Sequence, residues 1–210
     1  MATPGPQQPS FAELEQAALA DIAIYRSMPE FANARLAIIG SLSLWKHLRQ
    51  YRTTNYVDFL MTVENAPNSF FIFRSPGGKN IKIDVVPKVE LRQHAYPRYT
   101  ASWRANTKHR LVPYVPTAAV PIATIQPGQL PHLSELNLLV FKVYSCSHHF
   151  TSQKKNRDAN DAMNRMGALA SRGPIVLTPA QIAAVAQGLD DIVHISGRGR
   201  TWWKSKLGLQ

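Results

Sequence analysis

Ile38-Ile39-Gly40-Ser41-Leu42-Ser43-Leu44-Trp45 opens the stretch that decides how this chain folds. It continues through Arg52-Thr53-Thr54-Asn55-Tyr56-Val57-Asp58-Phe59-Leu60 and closes at Ile81-Lys82-Ile83-Asp84-Val85-Val86. The first piece is an apolar strand that stops at a glycine and restarts as a helix. Strand, Gly-Ser, then helix places backbone N–H groups and a hydroxyl at a helix N-terminus, where anions are favoured. The other two pieces are apolar strands that each carry one aspartate. A strand-borne aspartate between apolar neighbours is costly to bury unless it is paired or bound to a cation. Asp58 and Asp84 are therefore candidate metal ligands, with a structural hydrogen-bonded acid as the other reading. Tyr56 precedes Asp58 by two residues and so shares its face of the strand, whereas Asn55 faces the opposite side.

Working outward, Ser10-Phe11-Ala12-Glu13 reads as a capping box and predicts a helix over 11–27 that ends before Pro29. A short strand is predicted over 35–39 and a helix over 41–49. Strands follow over 57–63, 70–74 and 81–86, the last two joined as a hairpin by Ser75-Pro76-Gly77-Gly78-Lys79-Asn80. From Pro87 to Pro131 many prolines and no sustained period predict irregular structure with one or two short strands. The last third is helical, over 134–149 and 154–170, with a third helix opened by Thr178-Pro179-Ala180-Gln181. The sum is an α+β fold, a small mixed sheet with an N-terminal helix and a C-terminal helical bundle. The expected organisation is a disordered tail at 1–10, a core at 11–131, a helical subdomain at 132–196 and a basic tail at 197–210.

Composition limits the partners. With 24 Lys and Arg against 13 Asp and Glu, the net charge is +11. That excess suits a polyanion, because each phosphate contact releases counterions, and it suits plain solubility equally well. Between 92 and 110 cations alternate with aromatics, and Arg98, Arg104, Lys108 and Arg110 are candidate contacts for single-stranded nucleic acid. A basic loop whose aromatics pack on the domain is the alternative. No run approaches the ~20 apolar residues of a membrane span. The single cysteine, Cys146, gives neither a disulfide framework nor a zinc set, which fits a reducing compartment, cytoplasmic or nuclear. It reads as a buried, inert thiol.

Gly40-Ser41, the Arg52-to-Leu60 run and Ile83-Asp84 together resemble the polymerase-β-type nucleotidyltransferases. The resemblance is to the branch that holds the AbiEii-type toxins and many similar fungal proteins, and it covers roughly residues 34–170. Members carry a Gly-Gly or Gly-Ser helix start, then Thr-x-Asp-apolar-Asp-Phe, then a lysine on a later helix, then a Lys/Arg-x-x-Asp-x-x-Asp helix. Lys142 and the run Lys154-Lys155-Asn156-Arg157-Asp158-Ala159-Asn160-Asp161 match the last two. The resemblance implies that Gly40 and Ser41 contact nucleotide phosphates, that Asp58 binds Mg²⁺ or Mn²⁺, and that Lys142 meets phosphate, while Asp84 on the neighbouring strand would polarise the acceptor or complete a second metal. Asp158 and Asp161 would orient Lys142 or take part in catalysis. From the residues alone, Lys142 reads as a snorkelling helix residue, and the two aspartates as a solvated face paired with Lys154 or Arg157.

The chain departs from that pattern twice. Tyr56 stands where the family has its first metal-binding aspartate, and a phenol is a poor Mg²⁺ ligand. The connection from Asp58 to Asp84 is also short, with no room for the helix that relatives place there. Two functions follow as expectations. One is Mg²⁺-dependent transfer of a nucleotide from an NTP to RNA, tRNA included, or to a protein hydroxyl, impaired at position 56. The other is a catalytically inactive module of the same fold that binds RNA or a protein partner.

Overall fold

The computed structural model describes residues 8–48, 53–62, 70–87, 119–149 and 151–209. The predicted capping box forms: Glu13 N donates to Ser10 Oγ at 3.2 Å and Ser10 N to Glu13 Oε2 at 2.8 Å. From it α1 (Phe11–Arg26) runs across the sheet with Leu14, Ala17, Ala18 and Ile22 buried. Glu13 does a second job, taking hydrogen bonds from Ser75 Oγ at 3.1 Å and Lys79 Nζ at 2.8 Å, so that α1 holds the hairpin turn.

Strands β1 (Arg35–Ile39), β2 (Tyr56–Met61), β3 (Phe70–Arg74), β4 (Asn80–Pro87) and β5 (Val120–Pro121) form a sheet in the order β3-β4-β2-β1-β5. β2 and β4 run parallel, and the other neighbours are antiparallel. The sheet is mixed, as expected, and its two faces differ. One buries Leu36, Ile38, Val57, Phe59, Met61, Ile81, Ile83 and Val85 against α1. The other packs Ala37, Ile39 and Leu60 against Leu44, Leu133 and Leu138. Period-2 alternation puts Tyr56, Asp58, Lys82 and Asp84 on this second face, beyond the part covered by apolar residues.

Helix α2 (Gly40–His47) begins where β1 ends. The helical part comprises α3 (Glu135–Cys146), α4 (Ser152–Ala170), α5 (Pro179–Ser196) and α6 (Arg200–Lys206). Its core includes Leu139, Val143, Ala162, Met166, Val185, Leu189 and Trp203. Gly188 lets α5 approach α3 closely, since a Cβ there would lie 1.8 Å from the Val143 carbonyl oxygen. Phe141 packs against both this core and the sheet-facing cluster, which ties the two parts together.

Most boundaries shift by one or two residues, the usual fraying of caps. The helix predicted over 134–149 shows a larger difference and stops at Cys146. Within the expected basic tail at 197–210, the described residues 197–209 carry α6, which docks with Trp203 and Leu207 buried and Trp203 Nε1 donating to Ser196 Oγ at 2.9 Å. Their i, i+4 spacing puts both apolar side chains on one helix face, and burying them outweighs the repulsion of the flanking cations. The 87–131 stretch contributes β5 and a single 3₁₀ turn at Ile122–Thr124 within the described residues. No described helix is long and apolar enough to cross a membrane.

Candidate functional site

The parallel ladder of β2 and β4 builds the first site. Asp58 pairs in register with Asp84, and Tyr56 with Lys82, so the four side chains stand as a square on one face. On the other side of β2, Ile39 pairs with Asp58, which brings the start of α2 beside its carboxylate. Gly40 adopts φ +67°, and a Cβ built there would lie 2.0 Å from Asp58 Oδ2. Only glycine satisfies both the left-handed backbone and the close approach of the carboxylate. A negative charge here lies at the positive end of the α2 dipole, where it is favoured. Gly40, Asp58 and Asp84 are thus neighbours, and Ser41 follows Gly40 in the first turn of α2.

Lys82 was not among the candidates. Its Nζ lies 3.8 Å from Asp84 Oδ1 and 5.7 Å from the centroid of the Tyr56 ring. The signal was present in the sequence, because Lys82 precedes Asp84 by two residues on an alternating strand. Tyr56 is 45% exposed, so its ring lies at the surface of the face and under the lysine instead of plugging a closed cleft. The Asp84 side chain is 39% and the Lys82 side chain 43% exposed. Asp84 is therefore not a fully buried acid, despite its apolar strand neighbours. Among the described residues, no three His, Cys, Asp or Glu side chains come together in a way that could hold a metal ion.

The second cluster lies between α3 and α4. Lys142 Nζ is 2.5 Å from Asp158 Oδ1 and 3.0 Å from Asp161 Oδ2. Ser145 Oγ donates to Asp158 Oδ2, and His149 Nε2 lies 2.9 Å from that same oxygen. Burial by itself raises the Asp158 carboxyl. The Lys142 charge and the hydrogen bonds from His149, Lys142 and Ser145 outweigh it and hold the group well below the usual carboxylate range. Side-chain exposures of 7% for Lys142, 6% for Asp158 and 1% for Asp161 correct the reading from the residues alone. The aspartates are not a solvated face paired with Lys154 or Arg157, and Lys142 does not snorkel. The i, i+3 spacing of Asp158 and Asp161 turns both toward α3, and a lysine there is the cheapest way to neutralise them. Ser145 and His149 were missed for want of a short-range signal.

Cys146 is buried, and its thiol is pushed up to about 12 mainly by that burial and by the nearby Asp158, in line with an inert residue. Arg98, Arg104, Lys108 and Arg110 lie outside the described residues.

No family model matches the chain, and no curated protein matches it. Among solved structures, the chain is similar to the crystal structure of an antigenic nucleotidyltransferase-like protein from Paracoccidioides brasiliensis. The two are 18% identical over 95% of this chain and 94% of that chain, with a TM-score of 0.48. A likeness of that degree says nothing about what this chain binds or turns over.

Proposed function

We propose that this chain is a nucleotidyltransferase-like protein whose transfer activity is impaired or lost. One observation carries the reading: Asp58 and Asp84 stand in register on parallel strands, and Asp58 lies over the glycine that starts α2. That arrangement joins two oxygen-donor side chains to a helix N-terminus, the parts needed for a nucleoside triphosphate and a cation.

The side chains around those parts argue against turnover. Mg²⁺ takes six hard oxygen donors in near-octahedral geometry, commonly one or two carboxylates, with phosphates and water supplying the rest. Phosphoryl transfer of this kind uses carboxylate-held ions to bridge attacking and leaving oxygens. Position 56 offers a phenol, and the Lys82 ammonium lies 3.8 Å from one of the two remaining carboxylates. The phenol adds no good ligand and the ammonium repels a dication, so Asp58 and Asp84 form a weakened set for Mg²⁺ or Mn²⁺. Lys142 is consumed by Asp158 and Asp161 and supplies structure instead of a phosphate contact.

The test is Mg²⁺- or Mn²⁺-dependent transfer of labelled NTPs to bulk tRNA by the wild type and by Tyr56→Asp. Transfer by the wild type is expected at or near background. Robust wild-type transfer that Asp58→Ala abolishes would overturn the reading.

A second reading, compatible with the net charge of +11, is a catalytically inactive module that binds RNA. Salt-sensitive binding of tRNA that weakens when Arg98, Arg104, Lys108 and Arg110 are neutralised together is the expected result. Binding indifferent to those four changes sinks it.

A further inference from the structure

We infer that Lys82 is the resident cation of the sheet site, supplying internally the positive charge that Asp58 and Asp84 would otherwise draw from a divalent ion. The inference rests on the nucleotidyltransferase-like reading and adds to it. Tyr56 accounts for a missing ligand, whereas Lys82 places a positive charge against a dication at the carboxylates that remain.

Lys82 and Asp84 are neighbours on one face of β4, and the register places Tyr56 and Asp58 directly across from them. A carboxylate at 56 would give this face three negative charges and no reason to keep a lysine beside them except neutralisation. With tyrosine at 56, the lysine stem and ammonium rest over the ring, 5.7 Å from its centroid, an arrangement worth a modest cation–π attraction at an exposed position. The same ammonium is 3.8 Å from Asp84 Oδ1. Phenol and ammonium therefore act as a pair, since the ring replaces a ligand and gives the ammonium a surface on which to lie. An incoming divalent ion at Asp84 must displace Lys82 or endure its repulsion. At a few ångströms and near-aqueous screening, a single positive charge costs a dication about tenfold or more in affinity.

Mn²⁺ binding followed by electron paramagnetic resonance tests this without any reference to turnover. Five proteins are compared: wild type, Lys82→Ala, Tyr56→Asp, Tyr56→Asp with Lys82→Ala, and Tyr56→Asp with Lys82→Arg. Both positions are about half exposed, so the variants are expected to fold, and far-UV circular dichroism with the melting temperature checks that. Wild type is expected to bind no Mn²⁺ up to millimolar concentration. Tyr56→Asp gains weak binding, and adding Lys82→Ala tightens it by about tenfold or more. Adding Lys82→Arg to Tyr56→Asp in the fifth protein, which keeps the charge, returns affinity to that of Tyr56→Asp alone. If Lys82→Ala leaves Mn²⁺ affinity unchanged in both backgrounds, or if wild type binds Mn²⁺ stoichiometrically below millimolar, Lys82 is not the resident cation. The wild type remaining inactive in the tRNA transfer assay would then leave the functional reading intact. The two ideas therefore fail on different measurements.

Discussion

The sheet and the helical bundle each carry one lysine and two aspartates, Lys82 with Asp58 and Asp84, and Lys142 with Asp158 and Asp161. Identical side-chain chemistry yields opposite physics in the two places. On the sheet, Lys82 and Asp84 are two-fifths exposed, so water screens their attraction and the geometry is negotiable. Between α3 and α4 the three charges are nearly sealed, and each ion has exchanged its hydration for its partners. A sealed cluster supports the fold and offers nothing to a ligand. An open cluster costs little to rearrange, which is the property a binding site needs. Burial, not residue type, separates the two.

The comparison breaks most readily at Lys142. Lys142→Met removes the ammonium that the buried carboxylates of Asp158 and Asp161 share and is expected to cost about 3–5 kcal/mol in urea unfolding. A loss under 1 kcal/mol would show that the bundle tolerates its acids without the lysine. Next in size is Gly40→Ala. The left-handed φ and the 2.0 Å approach of Asp58 Oδ2 both oppose a methyl group, and about 1–3 kcal/mol is expected with displacement of Asp58. An unchanged melting temperature would mean that the carboxylate does not rest on that glycine in solution.

Asp21 sharpens the contrast through pH. It is 3% exposed in α1, and burial pushes its carboxyl up to about 6, partly offset by the nearby Tyr25 hydroxyl. A folded-state pKa above the unfolded one means that its penalty is absent below the ordinary carboxylate range. The penalty grows as pH rises from the ordinary carboxylate range and levels off above about 6. Asp158 has the opposite sign: its stabilisation is present at neutral pH and lost as pH falls through and below the ordinary carboxylate range. Asp21→Asn is therefore expected to stabilise the protein by about 2 kcal/mol at pH 8, with a gain that shrinks toward pH 4. A gain independent of pH would place the effect in packing. The smallest effect belongs to Lys82→Met, expected to change stability by less than about 1 kcal/mol because the pair is exposed. A loss as large as that of Lys142→Met would erase the distinction between the clusters.

Much of the fold was legible because its signals are local. Ser10 with Glu13 and Thr178 with Gln181 both form the reciprocal caps that their spacing predicts. The hairpin through Gly77-Gly78 joins β3 to β4 as read. Gly40-Ser41 does start a helix at the end of a strand. The docking of α6 was less legible, since two tryptophans among cations read equally as a solvent-exposed basic segment until their burial is known. His149 and Ser145 escaped notice because their partner, Asp158, lies on another helix.

Taken alone, the sequence determined that Asp58 and Asp84 sit on strands, that a glycine-led helix start precedes them, and that Asp158 and Asp161 share a helix face with a lysine in reach. Periodicity and capping are properties of a few consecutive residues, so no partner is needed to read them. Only the tertiary structure decided which lysine stands with which aspartates and how much water reaches each. Those outcomes depend on strand register and helix packing between residues far apart in the chain. They set the local dielectric, and the dielectric makes one lysine a structural counter-ion and the other a surface cation beside the candidate site.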